Sequence, residues 1–317
     1  MRIRLNRRLL DVLLIPFLVP AAVLMRQVRT IGIARLPLCR WMLRRLGVFP
    51  IRNHYFEPLF DDRRLHSPLN AIRSLPGIDW NVEEQLDLLR QMHFGDELTD
   101  VPRSKPKELE FYIDNGSFGI NDAEFLYNMV RLKKPKRFIE IGSGNSTLIV
   151  RRAILKNSFE DSSYVCEHIC IEPYEAPWLE RLGIGVVRKR VEELPEAYFS
   201  VLEQDDFLFI DSSHVIRPQG DVLFEYLQIL PSLRGGVIVH IHDIFSPRDY
   251  LRNIIVNEIK FWNEQYLLEA FLTCNPDFKV IGALNMLHHA HYEQLSATCL
   301  SLSPDSEPGS FYIQRRT

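Results

Sequence analysis

Short apolar runs alternate with segments of helical periodicity from residue 109 to the C-terminus. Short runs of apolar residues predict buried strands, whereas apolar residues three and four apart predict helices packed on a sheet. Strands are predicted at residues 137–142, 168–172, 185–189, 206–211 and 236–241, with an antiparallel pair at 278–281 and 311–314. Helices are predicted at residues 121–132, 148–156, 219–230 and 251–272. This alternation predicts an α/β fold whose sheet is mostly parallel, with an antiparallel C-terminal strand.

The first of these helices has marked ends. Asn121 is in position to cap it, and Glu124, three residues on, would complete a capping box. Lys133, Lys134 and Pro135 end the helical pattern. Before this region, residues 53–108 are interrupted by prolines and contain one helix-like stretch, so they predict a connector to a domain of residues 109–317.

An apolar run at residues 9–25 is broken only by Asp11 and is followed by arginines interleaved with Leu, Ile and Trp up to residue 49. A membrane-spanning helix needs about 20 apolar residues, and this run is shorter and contains Pro16 and Pro20. A signal peptide is disfavoured because the run has no convincing cleavage site. A helical hairpin packed on the rest of the protein is the structural alternative. We expect residues 1–52 to form a helical arm that lies in a membrane surface.

Charge separates this arm from the rest of the chain. Residues 1–52 contain eleven Arg and one acidic residue, a net charge of +10, whereas residues 53–317 carry 27 basic and 40 acidic residues, a net charge of −13. Basic residues next to apolar side chains favour an anionic membrane leaflet. Nucleic acid is an unlikely partner because the arm is too apolar for a solvated basic tail.

The odd number of cysteines predicts reduced thiols and a cytoplasmic protein, peripheral or monotopic at the inner membrane face. Cys166, His168 and Cys170 alternate, which a buried strand explains as well as a metal site does. Residues 288–291 contain three histidines, for which we expect a solvent-exposed run.

The turn after the first predicted strand has the pattern Glu140-x-Gly142-x-Gly144 and leads into a helix. Glycines let a ligand approach the backbone, and a helix N-terminus offers free amides. Glu140 is expected at the mouth of the turn, where it suits a cationic ligand. Glu172 ends the next strand, in position to bind two ribose hydroxyls.

Three segments carry a resemblance to a known superfamily: E-I-G-S-G-N-S-T, I-E-P and F-L-F-I-D-S-S-H. Over roughly residues 110–315 the sequence resembles the class I S-adenosylmethionine (SAM) dependent methyltransferases. It is most similar to bacterial members with uncharacterised or glycan-related substrates. The resemblance implies a Rossmann-like methyltransferase sheet and SAM as cofactor. The spacing from Gly142 to Glu172 is longer than usual, which implies an insertion around residues 160–167.

The resemblance also implies a set of cofactor-binding residues, with the loop at Arg190 and Val191 beside the adenine. The cofactor-binding residues are Glu140, Gly142, Ser143, Gly144, Ser146, Thr147, Glu172 and Asp211.

The catalytic residues are expected at the ends of the fourth and fifth strands: His214, His242 and Asp243. In one alternative His214 or His242 is the general base. In the other, Asp211 and Asp243 bind a divalent metal, as in enzymes similar to catechol O-methyltransferase. Those enzymes have an Asn after the second Asp, where this chain has Ile244. Residues 115–118 and 262–266 are candidates for the acceptor pocket.

We therefore expect a SAM-dependent methyltransferase that methylates a hydroxyl of a glycan, a lipid-linked intermediate or another small-molecule acceptor at the cytosolic membrane face. One alternative is an NAD(P)-dependent oxidoreductase, which would share the sheet and the acidic second strand. Another is a non-catalytic membrane-associated binding module with the same fold.

Overall fold

The computed structural model describes residues 7–317. This part of the chain divides into two compact units, one ending at His66 and one covering Ser67–Thr317. Arg2 and Arg4, which belong to the predicted arm, lie outside the described residues. The arm and connector boundaries at residues 52 and 108 stay predictions.

The first unit consists mainly of two helices, α1 (Arg7–Ile31) and α2 (Pro37–Leu46). Helix α1 continues through Pro16 and Pro20, although each proline removes one backbone hydrogen bond. Its 25 residues give a length of about 37 Å at 1.5 Å per residue, and by length and composition it is able to cross a membrane. Most of its apolar side chains are exposed, Phe17 to 74%, whereas Val28 near its end is buried. The predicted helical arm is therefore present as helices.

The second unit contains eight of the helices, some of them only one or two turns long. They are α3 (Val82–Gln91), α4 (Ile120–Lys133), α5 (Asn145–Glu160), α6 (Asp221–Phe224), α7 (Leu230–Ser232), α8 (Glu264–Leu272), α9 (Leu284–Ala290) and α10 (Tyr292–Thr298).

Seven strands form one sheet in the order β3-β2-β1-β4-β5-β7-β6. The strands are β1 (Arg137–Ile141), β2 (Glu167–Ile171), β3 (Gly185–Val187), β4 (Phe207–Ile210), β5 (Ile238–Ile241), β6 (Phe278–Ala283) and β7 (Phe311–Arg315). Strands β1 to β5 pair in parallel, and β7 is antiparallel to both of its neighbours. This confirms the predicted α/β sheet and its antiparallel C-terminal strand.

Residues along each strand alternate between two apolar cores, because successive side chains point to opposite faces of a sheet. Phe138 and Phe207 stack at 5.3 Å and pack with α4 and α5. Ile139 and Leu208 pack on the other face with residues of α8. Both faces are covered, as is usual for a parallel sheet. The strand order reverses between β1 and β4, and ligands of such sheets bind at the carboxyl ends of the strands near that point.

The start of α4 differs from the prediction. Gly119, not Asn121, precedes the first residue of α4, so the predicted capping box is wrong. Glu124 is buried and accepts hydrogen bonds from Ser301, so it is not free to reach back to the helix start. The predicted stop is confirmed, since α4 ends at Lys133 and Lys134 takes a left-handed conformation.

The other differences concern helix continuity and burial. The predicted helix 219–230 is α6 and α7 joined by a π-helical stretch, Glu225–Ile229. The predicted helix 251–272 contains a π-helical stretch at Asn253–Asn257 and an irregular segment before α8 begins. His288 is 3% exposed, so the expected exposed histidine run is wrong at that residue. The long spacing before Glu172 arises because α5 extends to Glu160.

Candidate active site

The turn between β1 and α5 requires glycine at its first position. Gly142 has a φ of +80°, and a Cβ atom there would lie 1.9 Å from the carbonyl oxygen of Asp211. Its N–H donates to Ile171 O, and Asp211 N donates to Ile141 O, so the ends of β1, β2 and β4 are tied together. A Cβ atom at Gly144, in contrast, would have no atom of the described residues within 4 Å apart from its chain neighbours. The turn thus brings three strand ends together at one crevice.

Glu140 lies under this turn, not at its mouth. Its carboxylate is fully buried and accepts hydrogen bonds from Ser146 Oγ (3.2 Å) and Thr147 Oγ1 (2.9 Å). It also contacts His168 Nε2. Thr147 Oγ1 in turn accepts from Gly144 N at 3.1 Å. The structure therefore assigns Glu140 to holding the turn, which differs from the predicted contact with a cationic ligand.

A cavity of about 880 Å³ opens above the turn. Most of the predicted cofactor-binding residues line it: Gly142, Ser143, Gly144, Ser146, Glu172 and Asp211. Among the described residues, Glu140 and Thr147 are not in this lining. Glu172 is held in place because its Oε1 accepts from the N–H groups of Tyr174 and Glu175, both at 2.9 Å. Its fixed carboxylate at the end of β2 suits a ligand with two adjacent hydroxyls.

Two loops complete the walls of the cavity. Arg190 and Val191, predicted to flank the adenine, line one side. Ser117 and Phe118, from the predicted acceptor segment, line another, and Ser117 Oγ accepts from Asn145 Nδ2 at 2.7 Å. Five residues for which no role in the site was predicted also line the cavity: Lys105, Glu108, Leu109, Glu110 and Tyr112.

The predicted catalytic residues converge at the ends of β4 and β5. His214 Nε2 lies 3.2 Å from Asp211 Oδ1 and 3.6 Å from Asp243 Oδ2. His242 Nδ1 lies 3.6 Å from Asp211 Oδ1 and 3.9 Å from Asp243 Oδ1. Both histidines are 4% exposed. Asp211 belongs to this cluster and to the cavity wall, so the two sites adjoin.

The backbone at this cluster is strained. His214 has a φ of +58° and Asp243 a φ of +60°, the left-handed region that non-glycine residues rarely occupy. Each such residue costs about 1 kcal/mol or more, and such residues concentrate at functional sites.

A further carboxylate lies near the second ring nitrogen of each histidine. Glu264, fully buried in α8, lies 2.8 Å from His214 Nδ1 and also accepts from Tyr226 OH at 3.0 Å. Asp122 lies 3.9 Å from His242 Nε2. In the polar run 262–266, Trp262 also contacts this cluster, since its ring lies 4.4 Å from the His214 ring, whereas Tyr266 points elsewhere and donates to Asp249.

Electrostatics in the cluster favour positive charge between the carboxylates. Burial disfavours the imidazolium form of His214, but Asp211 and Glu264 outweigh it and raise its pKa to about 10. The pKa of His242 is also raised, by Asp243 and Asp211, against the effect of burial. Burial likewise opposes ionisation of Asp211, yet His242 and His214 hold the pKa of Asp211 below its usual range.

Glu264 and Asp122 were not predicted as the partners of His214 and His242. Both lie on helices far from the histidines in sequence, where an acidic residue resembles part of a solvated face. For Glu264, the polar run 262–266 within an otherwise apolar region was the one indication that this residue faces the site.

A family model described as a methyltransferase domain matches residues 139–244. The matched residues include the glycine turn, Glu172 and the His–Asp cluster. An uncharacterised protein from Archaeoglobus fulgidus is 30% identical to this chain over 172 residues, which are 50% of this chain and 75% of that protein.

Two solved structures resemble the chain weakly. The O-methyltransferase from Bacillus cereus in complex with SAH is 12% identical, with a TM-score of 0.36, and the similarity covers 74% of this chain and 91% of that one. The plantazolicin methyltransferase BpumL, in complex with a triazolic desmethylPZN analog and SAH, is 13% identical, with a TM-score of 0.37 and coverages of 75% and 99%. Residues 139–244 thus match a methyltransferase domain, in agreement with the resemblance to the class I SAM-dependent methyltransferases that the motifs carry.

Proposed function

We propose that this chain is an O-methyltransferase that transfers the methyl group of SAM to an acceptor hydroxyl bound beside Asp211. The observation that carries the proposal is the position of Asp211, which lines the cofactor cavity and contacts both His214 and His242. A cofactor and an acceptor bound on either side of one residue have their reacting atoms close together.

The cofactor is proposed to lie along the carboxyl ends of β1 and β2. Gly142 and Gly144 border its methionine part, and Glu172 binds the ribose hydroxyls. Arg190 and Val191 flank the adenine. Glu140 acts indirectly, because it holds Thr147, which fixes the N–H of Gly144.

His242 is proposed as the general base. Among residues 7–317 its Nδ1 atom has no hydrogen-bond partner, although it is buried. Against the effect of burial, the neighbouring carboxylates raise the pKa of His242, so its neutral form is a stronger base but a smaller fraction of the population at neutral pH. In this neutral form Nδ1 takes the proton of the acceptor hydroxyl as the O–CH₃ bond forms. The S–CH₃ bond breaks in the same step and its electron pair stays on sulfur, giving S-adenosylhomocysteine.

The cofactor step is tested by calorimetric titration of S-adenosylhomocysteine into the full-length chain. We expect binding in the wild type and at least a tenfold loss in Glu172→Ala, because the ribose loses its carboxylate partner. Glu293→Ala, a substitution outside the cavity, is the matched control. An absence of binding at tens of micromolar, or equal binding by Glu172→Ala, would contradict the assignment.

The base is tested by methyl transfer in His242→Ala. We expect a loss of roughly 10²-fold or more in kcat with unchanged S-adenosylhomocysteine affinity. Unchanged kcat would remove His242 as the base and leave the cofactor site standing.

The acceptor is proposed to be a glycan or lipid-linked hydroxyl at the cytosolic membrane face. This is supported by α1 and α2, where exposed apolar residues stand beside arginines; in α2 Trp41 is 62% exposed and Arg45 lies over its ring. Each basic residue adds about 1 kcal/mol of attraction to an anionic leaflet.

Membrane attachment is tested by flotation of the full-length chain with vesicles of phosphatidylcholine alone or with added phosphatidylserine. We expect cofloating that increases with the anionic lipid. High salt is expected to weaken an interfacial anchor, whereas carbonate leaves a spanning α1 in the membrane. A chain that stays in the soluble fraction with both vesicles would contradict the proposal. Mass spectrometry of methylated lipids and glycans lost on deletion would identify the acceptor.

A further inference from the structure

Residues 104–110 belong to a loop at the cavity whose two ends lie close together. Ile113 N donates to Pro102 O at 2.9 Å, and Asp114 N donates to Arg103 O at 2.8 Å. These two hydrogen bonds close the loop at its base. A surface loop of this length with its ends together is an Ω-loop, and such loops are frequently functional.

The base of the loop is fixed to the body of the second unit. Val101 and Phe111 are buried, and both pack in the apolar core that contains residues of α4 and α5. On the C-terminal side, Asn115 Nδ2 donates to the carbonyl oxygens of Tyr112 and Phe118, both at 2.8 Å. The chain therefore leaves and rejoins the body at two anchored points.

The base is also connected to the glycine turn of the cavity. Ser117 Oγ accepts from Asn145 Nδ2, and Asn145 is the first residue of α5, directly after Gly144. The base of the loop is thus held in place relative to the turn that borders the cofactor. Movement of the loop is confined to its tip, residues 104–110.

This tip is held much more weakly than the base. Among residues 7–317, the one backbone hydrogen bond of residues 104–110 is internal, from Glu110 N to Glu108 O at 3.1 Å. Leu109 packs against the apolar core, but it is only partly buried. Segments with few hydrogen bonds and few buried contacts open at a low cost in free energy, and active-site lids are drawn from such segments.

Three charged side chains of the tip line the cavity: Lys105, Glu108 and Glu110. In the part of the chain that the structure describes, none of the three has a side-chain hydrogen bond or an ion pair. A cofactor with an ammonium, a sulfonium and a carboxylate group offers them partners of both signs. Such pairs are stronger in a cavity that is closed to water than in solvent, so a filled cavity favours a closed loop.

We propose that residues 104–110 are a lid that closes over the bound cofactor. The lid rests on the proposed function, because the cofactor is what fills the cavity. Closure keeps water from the reacting centre and slows release of the cofactor, and the lid opens again to let S-adenosylhomocysteine leave.

The first test is limited digestion of the full-length chain by trypsin in detergent, with and without saturating S-adenosylhomocysteine. Trypsin cleaves after Lys107, in the tip, but not after Lys105, which is followed by Pro106. We expect S-adenosylhomocysteine to slow cleavage after Lys107 about tenfold or more, because a closed lid does not fit the protease. Cleavage after Lys260, which is exposed and is not among the described residues that line the cavity, is the control and should change less than about twofold.

A shortened lid gives an independent measurement. Two glycines in place of residues 105–109 are able to bridge the gap, because the hydrogen bonds at the base keep the ends together. We expect S-adenosylhomocysteine to leave the shortened chain about tenfold faster or more, as followed in stopped flow by the fluorescence of Trp178, which lines the cavity. Glu293→Ala is the control with an unchanged rate, and thermal unfolding shows that each variant is folded. If the shortened chain does not fold, the digestion decides.

Calorimetric titration of S-adenosylhomocysteine under the same conditions separates the lid from the proposed function. The lid is overturned if S-adenosylhomocysteine binds but slows cleavage after Lys107 no more than cleavage after Lys260. A wild-type dissociation rate in the folded, shortened chain would overturn it as well, and both results leave the proposed function standing. A chain that binds no S-adenosylhomocysteine would contradict the cofactor assignment, and the lid with it.

Discussion

At the scale of single residues, glycine is needed for different reasons at two positions of the same turn. Gly142 leaves room for the protein backbone, whereas Gly144 leaves room for a ligand. A side chain at Gly142 collides with the backbone of Asp211, whereas one at Gly144 meets open space. We expect Gly142→Ala to lower the free energy of unfolding by about 3 kcal/mol, from overpacking and left-handed strain. Gly144→Ala should keep the wild-type stability and weaken S-adenosylhomocysteine binding, because Gly144 lines the cavity.

Chemical denaturation and calorimetric titration of both variants check this pair. Equal stability of the two variants would contradict the steric role of Gly142.

The residues at strand ends could be predicted from the sequence, but their directions could not. Glu172 and Asp211 line the cavity as expected because they follow the ends of β2 and β4, where the crevice lies. Glu140 comes before the end of β1, so its side chain follows the strand's alternation into the interior. Glu264 could not be paired with His214 from sequence, since only the packing of α8 brings the two together.

At the scale of elements, Arg131 joins α4 to α5. Its side chain is 2% exposed and pairs with Glu97 at 2.8 Å, Glu160 at 2.8 Å and the side chain of Asn157. We expect Arg131→Met to lower the free energy of unfolding by about 2 kcal/mol, because the carboxylates and Asn157 lose their buried partner.

Urea unfolding checks this, with Arg90→Met as the control. Arg90 is exposed on α3 and pairs with Asp87, three residues earlier on the same helix, so we expect a change of less than about 0.5 kcal/mol. A similar loss in both variants would count against the anchoring role of Arg131.

Helices were predicted less well than strands, and α8 shows why. The predicted helix 251–272 joined α8 to the apolar residues before it. The spacing of apolar residues does not show where contacts with the rest of the protein replace helical hydrogen bonds, so the start of α8 could not be predicted. In the structure, Asn263 N donates to His214 O, so the chain just before α8 is fixed by the active-site loop. The β5, β6 and β7 strands, in contrast, contain short apolar runs, the pattern that is typical of buried strands.

At the scale of the whole molecule, acid stability depends on the same arginine. Burial alone would raise the pKa of Glu97, but hydrogen bonds from Arg131 and Tyr127 lower it below the ordinary 4.5. The hydrogen bond from Arg131 also lowers the pKa of Glu160. A lowered carboxylate pKa stabilises the fold above the unfolded value of 4.5, and this is lost as the pH falls through the lower folded values.

We therefore expect stability to fall below about pH 4.5, and to fall less steeply in Arg131→Met. Unfolding between pH 7 and pH 3 in both proteins measures the slopes. Parallel curves would show that these two carboxylates do not contribute.

Strand β6 lies at one end of the sheet, and α3 covers its outer side. Asn81 Nδ2 donates to Val280 O at 3.1 Å, Gln85 Oε1 accepts from Ala283 N at 2.7 Å, and Lys279 pairs with Glu84. An uncovered edge strand pairs with other chains and promotes aggregation. We expect a chain shortened to residues 109–317 to form insoluble aggregates, whereas one beginning at Ser67 stays soluble. The segment that resembled a connector thus protects the protein from self-association.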